Sequence, residues 1–478
     1  MHRIRNTFAF KLRNVFLVLF FLSGVFIPFQ SSSQQNFYDT DLLEPEFHQG
    51  RRQAFRQLMP EKTVAVIFSN PVRNRSNDVD YQYSPDPDLY YLTGLMEPHS
   101  ALLLFSEPVT VDGVTMNEML FVQDRDSLNE IWNGKRLGLA GSKSHLKFDH
   151  VFLNKEFSTK LPDFSALEKI MVKFPTDIKV SKSSRPGLNS MVFQLNEHIE
   201  KSGKESSVPS LLKLMATLRE IKLPEELTLL QKAVDITVEG FAEVIRAIEP
   251  GITEYQAQAI VEFYFKHRGA EFPGYGSISG GGENTCVLHY VTNRKTTSDG
   301  DLLLMDMGAE YHGYTADVTR TVPVNGKFSN EQLQIYNLVL EAQEAGIKAC
   351  RTGNAFQDPG KAAMEVISKG LVKLGIISAP AEARKYFNHG TSHYLGLEVH
   401  DPGNYGPLKP NMVITVEPGI YIPKGSKCDK KWWDIGIRIE DDVLITDNEP
   451  FVMSGKLPKK AAEVEKLMLE KSLFNQVK

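Results

Sequence analysis

Cysteine is scarce in this chain. Three occur among 478 residues, Cys286, Cys350 and Cys428, and none forms a CxxC pair. That excludes a zinc ribbon; the three read as isolated structural residues, the alternative being one disulfide and a free thiol after export. No charge of one sign dominates either. Fifty-four Lys and Arg stand against 59 Asp and Glu, a formal charge of −5, so nothing in the balance argues for nucleic acid or an anionic membrane as partner. There is no tandem repeat. There is no phosphate loop, because GGGEN at 280–284 is not followed by Lys-Ser/Thr; it reads as a turn near the substrate. The longest apolar run, VFLVLFFLSGVFIPF, is broken by Ser23, Gly24 and Pro28 and falls short of the ~20 residues that a membrane-spanning helix needs.

That run belongs to a segment different in kind from the rest. Arg3, Arg5, Lys11 and Arg13 form a basic start without an acidic residue, and Ser31 and Ser33 give a small-x-small pattern before Gln34. Residues 1–33 read as a secretory signal peptide, the alternative being an uncleaved anchor. Cleavage would leave a mature chain of charge −9, exported to a periplasm or to the exterior. No cysteine follows the run, which argues against a lipid anchor.

At 53.8 kDa two domains are expected after the signal, one over 37–210 and one over 216–478. TVAVIFSN (63–70) and SALLLFS (100–106) read as buried strands with DPDLYYLTGL between them. The alternation of strand and helix suggests an α/β layer, and KSGKESSVPS (201–210) reads as a linker or exposed turn. Pro224-Glu-Glu marks a helix start, Thr253 the N-cap of the next helix, and LPKKAAEVEKLMLEKSLF an amphipathic C-terminal helix.

The chemistry is concentrated between Asp306 and Glu440. Five side chains of metal-binding type stand there in strand or turn contexts: Asp306 in LLLMDMG, Asp317 in TADVTRT, His393 in HGTSHYLG, Glu417 in VITVEPG and Glu440 in GIRIEDD. Four carboxylates and an imidazole repel and titrate awkwardly unless cations join them. Hard oxygen donors with a single His suit Mn²⁺, and also Fe²⁺, Co²⁺ or Zn²⁺. DLLLMDMGAEYHGYTADVTRTV predicts a hairpin with Asp306 opposite Asp317. In DIGIRIEDD the alternation sends Ile435, Ile437 and Ile439 to one face and Gly436, Arg438 and Glu440 to the other. Glu417 falls at a strand end before a Pro-Gly turn.

These blocks carry a resemblance. VLHYVTN at 287–293, LLLMDMGAEYHGYTADVTRTVPVNGKFS at 302–329, NHGTSHYLGLEVHDPG at 388–403, VITVEPGIYI at 413–422 and GIRIEDDVLIT at 436–446 resemble, in order, the pita-bread metallopeptidases of family M24, most closely the aminopeptidase P (Xaa-Pro aminopeptidase) type. RSNDVDYQYSPDPDLYYLTGLMEPHSALLLF and IWNGKRLG resemble the N-terminal domain of the same type. The resemblance implies an N-terminal α/β domain of creatinase/aminopeptidase P type and a C-terminal pita-bread α+β catalytic domain. It implies two divalent metal ions, Mn²⁺ the favoured pair. Asp306 would hold one ion, Asp317 and Glu440 would bridge, and His393 and Glu417 would hold the other. His289 would lie on the leaving-group side, and His400 would contact the scissile carbonyl. His389, Tyr421 and Arg438 would line or support the pocket. Glu417 is the candidate to take a proton from the attacking water.

The implied substrates are proline-containing peptides cleaved after the first residue, and the implied assembly a homo-oligomer, dimer or tetramer. Tyr90 and Arg136 are candidates to reach a neighbouring subunit's active-site mouth. Lys409 is the nearest counterpart of a basic residue that guards the entrance in some members, where the link between His400 and Glu417 is longer than it is here. Prolidase, which cuts Xaa-Pro dipeptides, is the alternative activity. A pita-bread binding protein without turnover is the alternative of another class.

Overall fold

The computed structural model describes residues 39–476, except 179, 181, 183 and 184; the signal-peptide reading of residues 1–33 lies outside them. From Asp41 onward the described chain packs as one unit.

Its first half is built on a five-stranded sheet. The strands run in the order Val151–Leu153, Val114–Val122, Ala101–Val111, Thr63–Phe68, Lys169–Lys173. The outer pairings at both ends are parallel and the two inner ones antiparallel. Asp112 and Gly113 turn the central hairpin with φ of 52° and 78°, the left-handed pair that matches strand twist. The sheet is buried on both faces, which is why TVAVIF and ALLLF are unbroken apolar runs. Val64, Val66 and Phe68 pack under the helix Leu188–Ser202, whereas Ala65 and Ile67 face the helix Pro45–Leu58. That second core continues into the other half through Leu229, Leu230, Phe241 and Leu303.

Between the two predicted strands DPDLYYLTGL forms the helix Pro87–Thr93, with the Asp86 carboxylate accepting from the Leu89 amide at 2.9 Å. Gly94 ends it at φ 72°, and a Cβ there would meet His48 Nε2 at 2.8 Å, so glycine serves both the helix stop and the close approach. His48 is fully buried and bonds Tyr91 O through Nδ1 at 3.0 Å. Burial pushes its pKa down to about 4. A histidine depressed in the folded state contributes stability above its ordinary value near 6.5 that is lost as pH falls toward 4. The shift corresponds to about 3 kcal/mol at most. We expect a His48→Asn variant to lose less stability between pH 6.5 and 4 than the parent; equal losses in chemical denaturation would assign the acid sensitivity elsewhere.

In the second half, Val318–Pro323, Leu302–Met307 and Ile278–Gly281 form one antiparallel sheet. Val413–Val416, Asp441–Leu444 and Phe451–Val452 form a second, and Gly419–Ile422 pairs with Ile435–Arg438. Single bridges, Thr319 to Glu440 and Tyr394 to Ile414, tie the sheets together. The helices Pro224–Ala247 and Glu254–His267 cover one side. Asn330–Ala349 and Asp358–Lys373 cover another, packed on Ile435, Ile437 and Ile439, the face that the alternation predicts. The Thr253 cap forms as expected, in a reciprocal box with Gln256.

Several expectations are corrected. Asp306 lies opposite Thr319, not Asp317. A small hairpin, Ala309–Tyr311 with Tyr314–Thr315, intervenes and turns at His312-Gly313. GGGEN, read as a turn, begins as the end of the strand Ile278–Gly281 and only then enters a 3₁₀ turn, Gly282–Cys286. The C-terminal helix stops at Leu467, because Glu243 captures Ser472 Oγ and the Leu473 amide at 2.8 and 2.7 Å. The three cysteines, by contrast, are unpaired, in keeping with the reading of isolated residues. Among the described residues no helix is long and apolar enough to cross a membrane.

Candidate metal centre and active site

The sheets of the second half meet around a cavity of about 510 Å³. Asp306 points into it from near the end of Leu302–Met307, and Asp317 from the residue before Val318–Pro323. Gly308 makes this approach possible, since a Cβ there would stand 1.6 Å from Ala316 O. Glu417 follows the strand Val413–Val416. Glu440 sits where the chain passes from Ile435–Arg438 to Asp441–Leu444. His393 is held on a non-helical segment by its amide, which donates to Thr415 Oγ1 at 3.2 Å. His289, His389, His400 and Arg438 line the same cavity, and Tyr421 stands behind His389. All ten predicted site residues are therefore gathered at one place.

The geometry suits cations. Ligand atoms of Asp317, His393 and Glu440 lie within 4.8 Å of one another. His393 Nδ1 bonds Tyr394 O at 3.0 Å, which leaves Nε2 toward Asp317 Oδ2 at 3.3 Å and Glu417 Oε1 at 3.7 Å. A backbone acceptor on one ring nitrogen is how a ligating imidazole is usually fixed. Burial, then neighbouring charge, sets the electrostatics. Glu417 is pushed up to about 8 by burial and by Asp317 and Asp306, against the pull of His393 and Arg438. Glu440 is raised well above its ordinary value by burial and by Asp317, Glu417 and Asp306. Asp306 is raised by burial despite Arg438. His393 rises to about 9 because the carboxylates of Asp317 and Glu417 outweigh its burial. Protein groups alone leave this cluster of acids short of positive charge, and divalent ions placed among the five donors supply it.

A chain of hydrogen bonds backs the cluster. Arg438 Nη2 donates to Asp306 Oδ2 at 2.5 Å, its Nε to Thr319 Oγ1 at 3.1 Å and its Nη1 to Tyr421 OH at 2.9 Å. Thr319 Oγ1 donates to Glu440 Oε2 at 2.6 Å, and Tyr421 OH meets His389 Nε2 at 2.9 Å. His389 Nδ1 faces Gly390 O at 2.6 Å, so the ring donates there and accepts from Tyr421. Burial pushes His389 down to about 4, and it stays neutral.

Sequence reasoning missed three supports. Tyr275 OH lies 2.6 Å from both Asp306 Oδ1 and Asp317 Oδ1. Thr319 links Arg438 to Glu440, and Asp442 Oδ2 accepts from the Asp317 amide at 3.1 Å. Tyr275 sits between two glycines, a pattern that ordinarily marks a turn. Glu254 is a further hub, fully buried, accepting from the Gly281 and Lys295 amides, Asn284 Nδ2 and Tyr290 OH at 2.8–2.9 Å; it braces the stretch that carries His289. Three weaker candidates lie elsewhere. Tyr90 is buried in the core, its ring facing Gly313. Arg136 is half-buried beside Glu130. Lys409 is drawn to Glu220 at 3.6 Å, away from the cavity.

Known proteins resemble this chain over most of its length. The metallopeptidase family M24 matches residues 228–447, and the aminopeptidase P N-terminal domain matches residues 48–172. The Xaa-Pro aminopeptidase of Haemophilus influenzae is 35% identical over 443 residues, covering 90% of this chain and 99% of that protein. Rat Xaa-Pro aminopeptidase 3 is 37% identical over 417 residues, covering 84% and 80%. A solved structure of Escherichia coli aminopeptidase P, in a low-pH form, matches with a TM-score of 0.81 at 34% identity, covering 89% of this chain and 98% of that one. The fold is that of a metallo-aminopeptidase, of a family dependent on divalent metal ions. More narrowly, the chain belongs to the aminopeptidase P (Xaa-Pro aminopeptidase) family of M24 metallopeptidases.

Proposed function

We propose that this protein releases the N-terminal residue from peptides with proline in second position, using two Mn²⁺ ions held by Asp306, Asp317, His393, Glu417 and Glu440. The observation that carries the reading is the complete donor set in one cavity that also holds His289 and His400. The ions, when bound, lower the pKa of a water and polarise the scissile carbonyl. Glu417, which lines the cavity beside Asp317 and His393, takes the water's proton and passes it toward the proline nitrogen. His400 donates to the carbonyl oxygen as charge develops there, and His289 faces the leaving amine. Leu288 and Val291, beside His289 in the cavity wall, receive the proline ring. Its tertiary amide has no N–H, so apolar side chains suffice.

The family's five donors are all in place, which speaks for turnover rather than a binding protein. The helix Ser127–Asn133 exposes Leu128, Ile131 and Trp132 at 73–86%, an apolar face that supports the reading of a homo-oligomer. Residues 1–33 support export.

The test is hydrolysis by the Mn²⁺-loaded mature protein. Release of the first residue from Xaa-Pro-Xaa tripeptides, lost in Glu417→Ala, is expected. Cleavage of Xaa-Pro dipeptides alone would make the enzyme a prolidase. Metal binding without cleavage of either substrate would sink the activity altogether.

A further inference from the structure

The helix Val208–Arg219 and the residues just after it join the two halves of the chain, and they grip the segment that carries His400. Arg219 is buried, 2% exposed. Its Nη1 donates to Asp88 Oδ1 at 2.7 Å, on the first-half helix Pro87–Thr93. Its Nη2 donates to Asp401 Oδ1 at 2.5 Å and to Glu398 Oε2 at 3.0 Å. Lys222 Nζ reaches Asp401 Oδ2 at 2.9 Å, and the Lys222 amide donates to Asn411 O at 2.9 Å. Glu220 accepts from the Asn404 amide at 2.8 Å. The segment closes tightly on this centre: the Glu398 amide donates to Asp401 Oδ1 at 3.2 Å, and the Asp401 amide to Tyr394 O at 3.1 Å. A Cβ on Gly396 would stand 2.5 Å from Asp401 Oδ2.

His400 is held quite differently. It is exposed, and its ring meets His393 edge-on with centroids 4.5 Å apart. Among the described residues its ring has no hydrogen-bond partner. The backbone on either side therefore sets its position, and Asp401 is the anchored residue next to it. Buried ion pairs contribute little net stability compared with apolar packing of the same shape. What a doubly paired carboxylate does provide is a fixed point, and a displacement of about 1 Å at a reacting group costs on the order of 100-fold in rate.

We propose that Arg219, Lys222 and Asp401 are positioning residues for His400, and that through Asp88 the first half of the chain helps to set the geometry of the active site in the second. The inference rests on the role given to His400 above.

The experiment is a double-mutant cycle with the metal-loaded full chain on an Xaa-Pro-Xaa tripeptide. Asp401→Asn keeps the shape and removes the charge. It is expected to lower kcat about 10–100-fold, with KM within about threefold of the parent and the metal content per chain unchanged. In a His400→Ala background the same substitution should lower kcat less than about twofold, since no imidazole is left to misplace. An equal loss in both backgrounds, or a raised KM at unchanged kcat, overturns the proposal while leaving the activity intact. Full activity of His400→Ala alone overturns the proposal together with the role of His400. Should Asp401→Asn fail to fold, Lys222→Met, which leaves Asp401 its bond from Arg219, takes its place in the same cycle, with an expected loss in kcat of about threefold or more that likewise vanishes without His400; an equal loss in both backgrounds overturns the proposal.

Discussion

Glu440→Gln is expected to abolish peptide hydrolysis and, in the same protein, to raise the melting temperature of the metal-free chain. Glu440 is 2% exposed and accepts from Thr319 Oγ1 at 2.6 Å. Burial and the nearby Asp317, Glu417 and Asp306 hold its pKa well above the ordinary value of 4.5. A carboxyl raised in the folded state destabilises the fold once pH exceeds its unfolded value, and the cost grows as pH climbs toward the folded one. Glutamine keeps the shape and the acceptor for Thr319 and carries no charge. The metal-free variant should therefore match the parent near pH 4.5 and exceed it by about 1–3 kcal/mol near pH 8. The same change removes an oxygen donor, so the variant should bind less metal and turn over at least about 10³-fold more slowly. Thermal scans in chelator at both pH values, beside kcat with Mn²⁺, decide it. A metal-free variant that melts below its parent at pH 8 would mean that the carboxylates do not strain one another.

On this expectation stability and activity oppose each other, because carboxylates are buried together where folding alone would not place them. That placement was legible. Asp306, Asp317, His393, Glu417 and Glu440 each stand in a short apolar strand or beside a Gly or Pro turn, and strand periodicity assigns Glu440 and Arg438 to the face away from Ile437. The buried runs 63–68 and 101–105 were legible for the same reason, as was the Thr253 cap. The unread parts depend on contacts between distant residues. Tyr275 reaches Asp306 and Asp317 over 31 and 42 positions, and nothing local distinguishes it from a turn tyrosine between two glycines. Arg219 meets Asp401 across 182 positions. The register that sets Asp306 against Thr319 depends on the small hairpin at His312-Gly313, which a simple two-strand reading omits. The C-terminal helix ends early because Glu243, on another helix, draws the chain away. Local pattern thus reports which side chains face the site, and tertiary hydrogen bonds decide what holds them there.

Arg438→Lys is expected to behave as a severe substitution although it conserves charge. The guanidinium is 3% exposed, and its three nitrogens serve three different partners: Asp306 at 2.5 Å, Tyr421 at 2.9 Å and Thr319 at 3.1 Å. Through Thr319 it orients Glu440, and through Tyr421 it orients His389. One planar fork therefore sets the directions of two candidate ligands and a histidine of the cavity wall. A lysine ammonium is a compact charge on a flexible stem and cannot reach the three positions together. Loss of such support around a metal typically costs 10–100-fold in metal affinity or activity, and that is the expected range for Arg438→Lys in Mn²⁺ titration calorimetry and in kcat. Arg438→Ala should add a loss of about 3–5 kcal/mol in folding stability, because Asp306 is then left buried without its cation. The two variants separate charge from geometry. If Arg438 only neutralises Asp306, lysine restores affinity and turnover to within about threefold of the parent. If the fork aims the donors, lysine restores stability and leaves affinity and turnover low, because the charge has been returned without the directions.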